Sequence, residues 1–202
     1  MKSLCQQIYL ERLNSSLYSE YVGNELKRAL IKEIIQENVL CGLSRNKFFR
    51  KTNFNGGTAL RLFYHIDRFS EDLDFSVKNE VTDFDIEEYT DGLKNELESS
   101  GLQNEIVVKS NAGDKLRRIF VNFPAYLTYK ETFGDSGLAE TTQQNQKIKI
   151  KIDAMNISQC SSPSKQGFDY EKNSTWPIHD GCTLKRFALC SRHHTETTCL
   201  RR

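Results

Sequence analysis

Two aspartates one residue apart, Asp72 and Asp74, close the run Arg68-Phe69-Ser70-Glu71-Asp72-Leu73-Asp74-Phe75, and Gly56-Gly57-Thr58 lies shortly upstream. If residues 70–75 are extended, both carboxylates point to one face of a strand, roughly 7 Å apart along it. Hard divalent cations such as magnesium take oxygen ligands and fill the rest of their shell with water and substrate phosphate. Two such ions, roughly 3.5–4 Å apart, can activate an attacking hydroxyl and stabilise a departing pyrophosphate. The chemistry that fits the pair is transfer of a nucleotide from an NTP, with Asp72 and Asp74 as metal-binding catalytic acids.

The glycines answer a different need. Phosphates must come close to the backbone, where Cβ atoms would block them, and the free N–H groups of a following helix start attract anions. Gly56, Gly57 and Thr58 therefore read as a triphosphate cradle, with Arg68 as a phosphate clamp and Ser70 as a hydrogen-bond donor to it. Taken singly, a Gly-Gly pair is more often an ordinary turn, and Asp-x-Asp a solvated strand end. The conjunction of glycines before a helix and spaced acids on the next strand favours a site.

Asp153 is the third candidate acid, at the end of Lys147-Ile148-Lys149-Ile150-Lys151-Ile152-Asp153. Spacing alone leaves it evenly balanced between a metal ligand and a solvent-facing acid that offsets three lysines. Lys151 and its neighbours could meet substrate phosphates, although a charged exposed face is the commoner explanation.

The elements that must position these groups are visible as periodicities. Leu26, Leu30, Ile31, Ile34 and Ile35 recur as on an amphipathic helix over 25–40, with charges on its other face. Aromatic enrichment predicts a strand over 47–54 that ends at the glycines. Thr58 can cap a helix on which Leu60, Phe63 and Tyr64 share a face. A strand over 70–77 follows, and then a helix over 85–100 stopped by Gly101. Strands are expected at 103–109 and 116–123, and the polar, turn-rich stretch 124–146 reads as a loop. Strict alternation makes 147–153 a strand with its isoleucines in the core and its lysines and Asp153 on the opposite face. The expected fold is α+β, a mixed sheet flanked by helices.

Composition places few limits on function. The 202 residues suffice for one domain with a sizeable core, and 38% apolar with 27% charged residues is ordinary for a globular chain. A formal net charge of +1 gives no global attraction for nucleic acid, so a polyanion would need a local basic surface. No stretch approaches the ~20 apolar residues of a membrane span. The start turns polar too soon for a secretory signal, so a cytoplasmic location is expected. The six cysteines are scattered and read as reduced thiols. Cys182, Cys190, His193, His194 and Cys199 lack the spacing of a zinc site.

Gly56-Gly57-Thr58-Ala59-Leu60-Arg61-Leu62, followed by the Arg-x-Ser-x-Asp-x-Asp run at 68–74, resembles the AbiEii-type nucleotidyltransferase toxins over roughly residues 25–155. The resemblance implies a polymerase-β-like fold and magnesium-dependent transfer from an NTP to an acceptor, in some members the 3′ end of tRNA. It also implies a toxin encoded beside an antitoxin. In the terms of that family Gly57 and Thr58 match the nucleotide-holding motif, Asp72 and Asp74 the metal pair, and Asp153 the later strand acid.

The C-terminal part departs from the family pattern. Members continue into a helical region with a lysine, an arginine and an Arg-Asp pair with another aspartate, whereas no aspartate follows Asp180 here. The expected organisation is a nucleotidyltransferase domain at 1–180, with a helical N-terminal part (1–45) and a catalytic core (46–155). An atypical tail at 181–202 leaves the C-terminal helical region incomplete, as in a truncated or frame-altered chain. Two rival readings follow: an inactive homologue that binds nucleotide or an antitoxin, and a transferase acting on a small-molecule hydroxyl.

Overall fold

The computed structural model describes residues 3–15, 23–64, 66–109 and 115–156. A five-stranded mixed sheet forms the middle of the fold, in the order β1-β2-β5-β4-β3 (Thr52–Asn55, Asp72–Val77, Lys147–Asn156, Leu116–Pro124, Glu105–Val108). β2 and β5 run parallel, and every other pairing is antiparallel. The alternation at 147–154 works as expected: Ile148, Ile150, Ile152 and Ala154 are buried, and Lys147 and Lys149 are exposed. The aliphatic face packs on helices, leaving the face of Asp74, Lys151 and Asp153 more open.

The main covering element is α2 (Asn24–Arg45), longer than the periodicity over 25–40 predicts. Leu30, Ile31, Ile34, Ile35, Val39 and Leu43 are essentially inaccessible. The expectation that its charges face solvent fails at Glu33, which is buried together with Gln36 and Asn38. A buried carboxylate is tolerated only with partners. Glu33 is paired with Arg12 at 3.1 Å and with Arg61 at 2.8 Å. Arg12 comes from α1 (Leu4–Leu13), whose N-terminus Ser3 caps by accepting from the Gln6 N–H at 3.1 Å. The sequence reading placed no particular helix there, although Cys5 and Tyr9 at i, i+4 are its buried face.

Three further readings need correction. The strand expected over 47–54 is shorter, because Phe48–Arg50 form a 3-10 turn after Lys47 at φ 63°. Phe48 leaves the strand direction to fill an aromatic core, edge-on to Phe75 and Tyr89 at ring-centroid distances of 5.0 and 4.9 Å. α3 (Gly56–Tyr64) begins at the first glycine, so Thr58 lies inside the helix and does not cap it. It buries Thr58 and Ala59, and of the expected apolar face Phe63 packs against the core while Leu60 and Tyr64 are about half exposed.

Finally, 124–146 is a sequence of short helical turns: α5 (Ala125–Leu127), a π turn at Thr128–Thr132 and α6 (Ser136–Glu140). Ala125, Tyr129, Phe133 and Leu138 bury their side chains, and Asp135 caps α6 by accepting from the Leu138 N–H at 2.8 Å. Each turn is too short for a window-based pattern to register. α4 (Thr90–Ser99), after a 3-10 turn at Glu87–Tyr89, ends where Gly101 takes φ +77°.

Candidate functional site

Gly56 stands between β1 and α3 at φ +77°, a conformation that favours glycine. A Cβ there would lie 2.2 Å from Asp74 Oδ2, so the absence of a side chain lets the carboxylate settle against the helix start. Gly57 does the same for Ser70, whose Oγ would be 2.8 Å from an added Cβ. Thr58 Oγ donates to the Asp72 carbonyl at 2.5 Å, tying α3 to β2. The threonine side chain is spent on that bond, so only its backbone N–H is left for a ligand. The Asp74 carboxylate thus lies beside the first turn of α3, and the main chain of Asp72 is tied to that turn.

Gln36 fixes the approach to β2 from below. Its buried side-chain amide donates to the carbonyl oxygens of Ser70 and Glu71, at 3.0 and 2.9 Å. Arg61 supports the preceding loop. It donates to the Ile66 carbonyl at 2.7 Å, lies 4.6 Å from the centre of the Phe69 ring, and is held by Glu33. Arg68 is exposed on that loop.

Parallel register puts Asp74 opposite Asp153 and Asp72 opposite Lys151, so all four side chains share one face. Lys151 Nζ is 2.5 Å from Asp72 Oδ2 and 3.6 Å from Asp153 Oδ2. Arg118, opposite Asp153 on β4, grips both its oxygens, with Nε at 2.7 Å and a terminal nitrogen at 2.9 Å. Among the described residues no ion pair reaches Asp74.

The electrostatics follow from these partners. Burial, reinforced by the charges of Asp72 and Asp153, raises the Asp74 carboxyl above its ordinary range, against a smaller pull from Lys151. Burial also pushes Asp153 upward, but the Arg118 hydrogen bonds and the Lys151 and Arg118 charges outweigh it and hold Asp153 low. The hydrogen bond to Asp72 raises Lys151, so it stays an ammonium.

A cleft of about 510 Å³ opens beside these groups, with Asp72, Lys151, Lys149, Lys32, Arg28 and Phe120 among its walls. Lys32 is paired with Glu71 at 3.0 Å. The cleft is a local basic surface of the kind that a nearly neutral chain would need to hold a polyanion. Among the described residues no group of three or more His, Cys, Asp or Glu side chains is arranged to hold a metal ion. Asp72 and Asp74 nonetheless supply the hard oxygen donors that magnesium takes, and the Asp74 carboxyl, raised first by burial and then by the charges of Asp72 and Asp153, is one whose charged form a dication would favour. The donor set fits two carboxylates completed by water and phosphate, with Asp153 engaged by Arg118.

Sequence reasoning missed Arg118, Gln36, Arg28 and Lys32. Arg118 carried a weak signal, as a charge on the polar side of the 116–123 alternation, but its partner depends on register. Gln36, Arg28 and Lys32 read as the solvent side of α2. The cysteines and histidines weighed as a zinc site, and the whole 181–202 tail, lie outside the described residues. Among those described, no helix is long and apolar enough to cross a membrane.

The family model for the nucleotidyl transferase AbiEii toxin of type IV toxin–antitoxin systems matches residues 38–167. The span takes in both glycines, the Asp-x-Asp strand, Arg118 and Asp153. No curated protein matches the chain. Two solved structures from Helicobacter pylori are similar. One is the protein JHP933, at 20% identity and a TM-score of 0.36, covering 68% of this chain and 46% of its own. The other is provisionally assigned as a nucleotidyltransferase, at 20% identity and a TM-score of 0.39, covering 70% and 51%. The chain thus matches about half the length of these neighbours.

Proposed function

Because the chain belongs to the AbiEii nucleotidyltransferase toxin family, we propose that it is a magnesium-dependent nucleotidyltransferase. It moves a nucleotide from an NTP to an RNA acceptor, with tRNA as the first candidate, and it is held in check by a cognate antitoxin protein. The observation that supports this reading is the Asp74 carboxylate packed on the first turn of α3, with the Asp72 carboxylate on the same face of β2 at the basic cleft.

Two magnesium ions bound through Asp72 and Asp74 would supply the Lewis acidity that activates the acceptor hydroxyl and stabilises the departing pyrophosphate. The residues do the rest. The amides of Gly56, Gly57 and Thr58 and the side chains of Ser70 and Arg68 receive phosphate oxygens, and Lys151 neutralises them from the cleft side. Asp153, the third acid of the set, is held in plane by Arg118 and lies across from Asp74. Residues 1–180 act as one domain in this reading, in the cytoplasm where RNA and NTPs are available.

The test is incubation of the purified chain with radiolabelled NTPs, magnesium and a panel of RNAs and small alcohols. Labelled RNA is expected, and loss of on the order of 100-fold or more in Asp72→Ala and Asp74→Ala. Label on a small alcohol alone would replace the acceptor, and no label on anything would overturn the enzymatic reading. The ion pairing of Asp72 and Asp153 supports one rival, a homologue that binds nucleotide or antitoxin without transfer. For that rival, NTP binding would persist without transfer and would be magnesium-dependent in the wild type but not in Asp72→Ala.

A further inference from the structure

The acids of the site come with internal counter-ions. Lys151 Nζ touches Asp72 at 2.5 Å and reaches Asp153 at 3.6 Å, while Arg118 holds both Asp153 oxygens. The two cations differ in how they are held. Arg118 makes a two-point planar fork on a single carboxylate, a geometry that fixes both partners. Lys151 is a point charge on a flexible stem, shared between two carboxylates, and its side chain also lines the basic cleft. One of these cations can be exchanged without dismantling the sheet face, and it is the lysine.

We propose that Lys151 is an exchangeable counter-cation: it neutralises Asp72 until a divalent ion displaces it, and the freed ammonium then turns into the cleft to meet a polyphosphate. Arg118 is the fixed member and a positioning residue, which keeps Asp153 in place while Lys151 leaves. The inference rests on the reading that Asp72 and Asp74 bind the metal. It adds that the metal and Lys151 compete for one carboxylate and that metal and triphosphate therefore load cooperatively.

The competition is electrostatic and sterically direct. Asp72 Oδ2 cannot accept the ammonium at 2.5 Å and coordinate a dication on the same side. Lys151 also repels an incoming dication by its charge alone. The Asp72 carboxylate is 42% exposed and the Lys151 side chain 28%, so the pair has the strength of a partly solvated salt bridge, up to about 1 kcal/mol. Removing it should tighten metal binding by about fivefold, the factor that such an energy gives.

The experiment is a manganese titration of the full chain without nucleotide, followed by the EPR signal of free Mn²⁺. Wild type, Lys151→Met, Lys151→Arg, Arg118→Met and Asp74→Asn are compared, each checked for native circular dichroism. Lys151→Met is expected to bind Mn²⁺ about fivefold more tightly than wild type. Lys151→Arg, which keeps the charge, should bind no more tightly than wild type, and Asp74→Asn more weakly. Arg118→Met should gain less than Lys151→Met, because it leaves the ammonium on Asp72. Equal or weaker Mn²⁺ binding in Lys151→Met overturns the exchange and leaves the metal role of the acids standing. Absence of Mn²⁺ binding in every variant, wild type included, overturns that metal role and the exchange with it.

Discussion

The Asp74 carboxylate rests against the backbone of Gly56 so closely that a Cβ on that glycine would lie 2.2 Å from Oδ2. The contact joins the turn to the strand it precedes, and the left-handed φ of +77° at Gly56 makes it possible. The glycine is thus needed twice over, by its conformation and by its neighbour.

Gly56→Ala is therefore expected to destabilise the fold by about 1–3 kcal/mol, from the positive φ of a residue with a Cβ together with displacement of Asp74. Urea unfolding read at the midpoint and slope measures it. An alanine variant as stable as wild type would mean that the turn relaxes without cost.

The Gln36 side-chain amide holds the carbonyl oxygens of both Ser70 and Glu71. Gln36→Leu keeps the volume and leaves two partly buried acceptors without that donor, a loss of about 1 kcal/mol. Transfer activity should fall further than stability predicts at temperatures where the variant is still folded, since the acids follow directly on that segment. Activity and melting measured on the same preparation separate the two effects.

Asp74 and Asp153 should pull the pH dependence of stability in opposite directions. Asp74 is raised in the fold from 3.8, by burial first and then by Asp72 and Asp153. Its protonated form is favoured by folding, so its contribution is present below that ordinary value and is lost as pH rises through the folded pKa. Asp153 is lowered from the same ordinary value, so its contribution is present above 3.8 and is lost as pH falls through its depressed pKa. Asp74→Asn is accordingly expected to be more stable than wild type at about pH 7, with the advantage gone at about pH 3.5. Urea midpoints at the two pH values check it, and a variant less stable than wild type at neutral pH contradicts it.

The fork between Arg118 and Asp153 can be measured by a double-mutant cycle of Arg118→Met and Asp153→Asn. A coupling of about 1 kcal/mol is expected, favourable because both oxygens are engaged and reduced because the Arg118 side chain is 35% exposed. Additive single effects would remove the pair from the account of the site.

Local chemistry was legible in the sequence where one element carried its own pattern. The alternation of 147–153 announced both faces of β5, and the Asp72 and Asp74 spacing put two acids on one side of a strand. The helical stretch expected at 85–100 with its stop at Gly101 announced α4, which starts later, after a 3-10 turn. What escaped was set by distant partners. Glu33 reads as a surface charge until Arg12 and Arg61 are seen on either side of it. Arg118 reads as an exposed strand charge until register places it against Asp153. The turns of 125–140 bury nearly half of their residues, but no single turn is long enough to show a period. Thr58 reads as a helix cap from its local sequence, whereas its hydroxyl reaches across to the Asp72 carbonyl.

Parallel pairing of β2 with β5 has a consequence for when the site can exist. The acid pair of β2 is synthesised early, but the strand that sets Lys151 and Asp153 beside it is the last one described, with the β3–β4 hairpin in between. Closing so long a stretch of chain is a slow, non-local step of folding. A nascent polypeptide therefore carries Asp72 and Asp74 before Lys151 can neutralise Asp72, and the assembled cluster arises only once β5 has joined the sheet.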